Sequence, residues 1–181
     1  MLINSNWVIF SIVFLLGVSA VASNSQPMDN TDKKFSLKIV PSSNEPESGP
    51  YINIHRQMNV VITNKTESDL AVWAENCSWG YRCLSFKILF GDDEFTVVQK
   101  GQNWTVNGPS AFVVKPQDHF VSNVRFIDEK WQGLPQKWDS QKVRIKAIFQ
   151  IKPDDESRKL GVWNGKMESD WLEVNLHKRK H

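Results

Sequence analysis

Cys77 and Cys83 are the chain's 2 cysteines, and they enclose Ser78-Trp79-Gly80-Tyr81-Arg82. An even cysteine count in a chain with an export signal, described below, predicts a disulfide, with two free thiols as the alternative. Closing so short a loop contributes about 2 kcal/mol by restricting the unfolded chain. The spacing is too wide for the C-x-x-C of a redox pair or a zinc knuckle. The nearest histidine, His55, lies well upstream, so no metal site is expected here.

Trp79, Tyr81 and Arg82 inside that loop are the residue types that anchor interfaces, each combining contact area with a polar group. Pinned by a short cross-link, they lose little entropy on binding. The competing arrangement folds Trp79 back as a plug over the end of the domain, with Gly80 making the tight turn.

Elsewhere the chemistry is sparse. His55 and His119 are the only histidines outside the C-terminal tail, and neither sits in a nucleophile, metalloprotease or phosphate-loop motif. Gly91-Asp92-Asp93-Glu94 reads as a solvated turn rather than a calcium loop. Glu75, Glu168 and Asp170 are the acids to examine for a hydrolase, since paired carboxylates converge only in space. Three N-x-S/T sequons begin at Asn64, Asn76 and Asn103. No cofactor is implied, and the chain reads as a non-enzyme.

These residues need a scaffold. The 181-residue chain is 40% hydrophobic and 23% charged, an ordinary globular balance. Its net charge of +2 is too small for a chain organised around a nucleic-acid backbone. Trp7 to Val18 is an apolar run followed by small residues, which predicts a signal peptide over 1–23, cleaved after Ala20, Ala22 or Ser23. The run falls short of the roughly 20 residues that span a bilayer, although an uncleaved anchor reaching Ala22 is the rival. Residues 24–34 form a polar leader, and 177–181 a basic tail. The domain is therefore expected over 35–176, exported and free of membrane once the signal is removed.

Within it, period-two alternation recurs. Val143, Ile145, Ala147, Phe149 and Ile151 share one face, as do Leu84, Phe86, Ile88 and Phe90. Met58, Val60 and Ile62 form another inward set, then Leu172, Val174 and Leu176, with Phe35, Leu37 and Ile39 supplying the first strand. Gly91-Asp92-Asp93 predicts a hairpin turn, and Lys115-Pro116-Gln117-Asp118 a corner. The one helix expected is a short one over Asp154 to Lys159. About 7–9 short antiparallel strands predict an all-β, immunoglobulin-like sandwich, with a small barrel as runner-up.

The chain has 8 tryptophans. Trp7 belongs to the signal. Trp73, Trp104, Trp163 and Trp171 fall in or beside strands and are expected in the core. Trp79, Trp131 and Trp138 sit among turn and polar residues and are expected to face solvent or a partner.

The run Val60-Val61-Ile62-Thr63-Asn64 through Leu70-Ala71-Val72-Trp73 ends a strand in Thr-Asn, turns, and returns. With Cys77-Ser78-Trp79-Gly80-Tyr81, Leu84-Ser85-Phe86 and Gly161-Val162-Trp163-Asn164-Gly165, it resembles a loose set of uncharacterised exported bacterial immunoglobulin-like proteins. More distantly it is similar to the proteinase-inhibitor-like β-sandwich domain. The likeness covers Met58 to Leu176. It implies a module that binds a protein or cell-surface partner, or a proteinase inhibitor acting through an exposed loop. No inhibitory residue carries over, because that domain's late Pro-Gly turn reads Pro116-Gln117 here.

Overall fold

The computed structural model describes residues 34–45, 49–53, 57–135 and 141–177. The signal run, nearly all of the leader, His55, Trp138 and the tail beyond His177 lie outside the described residues.

In chain order the elements are β1 (Phe35–Val40), β2 (Ser43–Glu45), β3 (Gly49–Asn53), β4 (Met58–Asn64) and β5 (Leu70–Trp73). A one-turn helix α1 (Ser78–Tyr81) follows, then β6 (Leu84–Phe90), β7 (Asp93–Gln99), β8 (Ala111–Val114) and β9 (His119–Val124). The chain continues with β10 (Trp131–Gln132), β11 (Gln141–Ile151), α2 (Asp155–Lys159), β12 (Gly165–Glu168) and β13 (Leu172–His177). The protein is thus mostly β and built of antiparallel sheets with no closed barrel, so the barrel alternative falls away.

Alternation explains the centre of the larger sheet, whose order is β10-β7-β6-β11-β13-β3-β2. β11 pairs with β6 from Arg144↔Leu89 to Phe149↔Leu84, which sets Ile145 opposite Ile88 and Ala147 opposite Phe86 on the inward face. Its other edge is shared in succession by β13 and β12. Ser169 bridges the change of partner: Ala147 N–H donates to its Oγ at 3.0 Å, and its own N–H donates back to the Ala147 carbonyl at 2.9 Å. One pairing departs from an antiparallel design, since β3 runs parallel to β13.

A three-stranded sheet, β1-β4-β9, contributes Phe35, Leu37, Ile39, Met58, Val60 and Ile62 to the same buried cluster as Phe86, Ile88 and Ile145. Each such side chain removed from water stabilises the fold by roughly 1.5–3 kcal/mol. β5 and β8 form a separate two-stranded sheet.

Three tryptophans depart from expectation. Trp131 is buried, 2% exposed, and packs edge-on against Phe86 and Phe126 with centroids 5.5 Å from each. Its neighbours look like a turn because β10 is only two residues long. Trp171 is half-exposed on the outer face, with Lys146 Nζ 4.9 Å and Arg144 Cζ 5.7 Å from its ring. Trp104 is also half-exposed, in a loop rather than a strand. Trp73 and Trp163 are core residues, as expected.

The corners follow their turn chemistry. Lys115-Pro116-Gln117-Asp118 closes with Asp118 N–H donating to the Lys115 carbonyl at 3.0 Å, and Gln117 takes φ 61°. Asn64, fully buried, fixes the preceding turn: its Nδ2 donates to the Ser68 and Val114 carbonyls at 2.8 and 2.9 Å, while its Oδ1 accepts from Thr66 N–H and Oγ1. The first sequon asparagine is therefore a structural residue, whereas Asn76 and Asn103 are exposed. The helix expected over Asp154 to Lys159 forms as α2, with Asp154 as N-cap accepting from Ser157 N–H at 2.6 Å.

Candidate functional site

The Cys77–Cys83 segment folds as α1 at one end of the sheets, where a loop was expected. Gly80 explains why it lies so close: a Cβ there would stand 2.1 Å from the Ala74 carbonyl oxygen, so only glycine permits this approach. Backbone bonds from Gly80 and Tyr81 N–H to the Cys77 carbonyl, 3.2 and 2.9 Å, make the single turn.

In the structure the two cysteines are separate, buried thiols. Cys77 Sγ lies 3.2 Å from the Ala74 carbonyl and 3.6 Å from that of Ser110, while Cys83 Sγ donates to the Trp79 carbonyl at 3.0 Å. Burial pushes the Cys83 thiol up to about 12, helped by the charges of Cys77, Glu75 and Asp154. It is therefore a neutral thiol at physiological pH and a poor nucleophile.

The loop's interface-type residues point three ways. Trp79 turns inward, half-buried, its ring 6.0 Å from that of Trp73. Tyr81 packs edge-on against Trp104 at 5.6 Å, and Arg82 is exposed. A cavity of about 520 Å³ opens between α1 and the end of β11, lined by Trp73, Trp79, Arg82, Cys83, Lys152 and Asp154 among others.

A second loop, absent from the sequence-based site, completes this end. From Lys100 to Ser110 the chain has no strand or helix and is exposed almost throughout. Asn107 Oδ1 accepts from Ser78 N–H at 3.0 Å and its Nδ2 donates to Ser78 Oγ at 2.7 Å, capping the N-terminal turn of α1 from outside. With Trp104 on Tyr81 as the other brace, Val106 between them is left 89% exposed. The sequence signal is the loss of alternation between Gln99 and Ala111, where Gly, Asn, Pro and Ser cluster.

His119, Glu75 and Glu168 are each engaged by other side chains, whereas the Asp170 side chain is exposed and His55 lies outside the described residues. His119 Nδ1 bonds Thr63 Oγ1 at 2.9 Å, and Glu75 accepts from Ser122 Oγ. Glu168 is held below the usual carboxylate range by hydrogen bonds from Lys166 and then Lys146, the opposite of what a general acid requires. Among the described residues no three His, Cys, Asp or Glu side chains gather as metal ligands. No helix among them is long and apolar enough to cross a membrane.

Comparison of the chain with protein-family models, curated proteins and solved structures gives no match in any of the three.

Proposed function

We propose that this chain is an exported, non-catalytic, immunoglobulin-like β-sandwich module that binds a protein or cell-surface partner through its α1 end. The observation that carries this is the lacing of two loops, Ser78 to Asn107 and Tyr81 to Trp104, around an exposed Val106. A braced loop has already lost most of the entropy that a free loop would lose on docking, so its contacts convert more fully into affinity. Export is supported by the Trp7–Val18 run, and the same reading expects Cys77 and Cys83 to join as a disulfide in an oxidising compartment. Mass spectrometry of the exported chain after alkylation, with and without reductant, tests that bond.

The binding reading is tested by cross-linking the chain to extracts of its source and comparing it with a Val106→Asp, Tyr81→Ala variant. A partner held by the parent and lost from the variant supports it. A partner held equally by both removes it.

The 89% exposure of Val106 also favours a second reading, inhibition of a proteinase through the Lys100–Ser110 loop. Titration against serine, cysteine and metalloproteinases decides it: inhibition abolished by Val106→Asp supports it, and none in any class ends it.

A further inference from the structure

The cavity beside α1 is a concave site that the loop reading leaves unused. Its volume of about 520 Å³ falls within the roughly 300–1,000 Å³ of small-ligand pockets. The lining includes half-buried Trp79, whose ring packs against that of buried Trp73 at 6.0 Å. The lining also carries Arg82 and Lys152, both exposed and neither ion-paired among the described residues.

The contrast with the outer face of the sheet is informative. There Lys87, Lys142, Lys146 and Lys166 each meet a glutamate. Among the described residues neither cavity cation is ion-paired to an acid. Asp154 is the one acid in the lining, and its carboxylate is engaged by Ser157 N–H at the start of α2. Glu75, near enough to influence Cys83, is hydrogen-bonded by Ser122. Cys83 carries no negative charge, either as a buried thiol or joined to Cys77, and so does not repel an anion.

We propose that this cavity binds a small organic acid, its flat apolar body against Trp79 and its carboxylate against Arg82 and Lys152. A guanidinium and an ammonium recognise a carboxylate by charge-assisted hydrogen bonds, and the Trp79 indole supplies the apolar surface. The carboxylate can belong to a free aryl acid or to the C-terminus of a peptide ending in an aromatic residue.

The test titrates 3-phenylpropanoate, its uncharged amide, and N-acetyl-glycyl-phenylalanine into the full chain, followed by tryptophan fluorescence and calorimetry. An acid should bind at least about tenfold more tightly than the amide, and rising salt should narrow the gap. Arg82→Gln and Lys152→Gln should each bring the acid towards the amide's affinity. Both positions are exposed, so these variants keep the fold, verified by an unchanged unfolding midpoint. Val106→Asp should leave acid binding intact, which separates this site from the partner-binding loop. The tighter of the two acids identifies the source of the carboxylate. Equal binding of acid and amide, no binding of either acid at millimolar concentration, or full affinity in both glutamine variants would overturn the proposal.

Discussion

β11 and α1 are held in place by different kinds of information. β11 has a neighbour along each edge, and its inward row Val143, Ile145, Ala147, Phe149 and Ile151 is buried throughout. α1 is held by single contacts from elsewhere: the Ala74 carbonyl beneath Gly80, Asn107 at Ser78, and Trp104 against Tyr81. The sheet is redundant, so one lost contact is shared among many. The loop end is a set of separate braces, so one lost contact frees one piece. Such low-redundancy regions open locally, below the free energy of global unfolding.

The comparison is tested hardest in the sheet. Trp131→Ala empties the centre of the Phe86–Phe126–Trp131 cluster and should cost about 4 kcal/mol, because an aromatic side chain leaves a cavity its neighbours fill only in part. Urea unfolding followed by circular dichroism measures this. A cost below about 1 kcal/mol would show that Trp131 is not a core residue.

Gly80→Ala is the matching test at the loop end. A methyl group 2.1 Å from the Ala74 oxygen must push α1 away, at about 2 kcal/mol. The distinguishing readout is spatial. Hydrogen exchange should accelerate in residues 74–83 while β11 amides stay protected. Uniform acceleration would mean that the two regions unfold as one unit and that the contrast is false.

This difference also decides what could be read from the sequence. The inward rows of β1, β4, β6, β11 and β13 were legible because alternation is local, and the β6–β7 hairpin because Gly91-Asp92 is turn chemistry. Trp171 was recoverable in principle. With Leu172, Val174 and Leu176 inward, parity turns it outward, onto Lys146 and Arg144. Trp131 was not recoverable, since a two-residue strand carries no period. Nor was the parallel β3–β13 pairing, which joins the two ends of the domain. At the site, the cysteines bracket the segment that folds as α1. Asn107, Trp104, Lys152 and Asp154 join it only through contacts distant in sequence, and their types alone did not mark them.

Cys83 gives a smaller, pH-dependent test of the loop end, made on the reduced chain. Its thiol is raised from 9.0 in the free state to about 12 in the fold, chiefly by burial. The sign follows from which state keeps the proton: above pH 9 the unfolded chain ionises while the folded chain does not. Stability from this group is therefore complete below pH 9.0 and declines as pH rises towards 12. By pH 10 the loss should be about 1.4 kcal/mol. Cys83→Ala should remove that slope from a series of unfolding midpoints, and an unchanged slope would assign the pH dependence elsewhere.

The smallest effect expected is a gain, at the corner between β8 and β9. Gln117 is the one non-glycine among the described residues with positive φ, at 61°, and its side chain is exposed. The left-handed region costs a residue with a Cβ roughly 1–2 kcal/mol, and Pro116 before it makes this the turn position where glycine is favoured. Gln117→Gly removes that strain but gives the unfolded chain more freedom, so the net stabilisation should be only about 0.5 kcal/mol. The gain belongs to the sheet and not to the site. Acid binding at Arg82 and Lys152 should stay unchanged while the unfolding midpoint rises. A fall in the midpoint would mean that the Gln117 side chain holds the corner itself and that the strain is already compensated there.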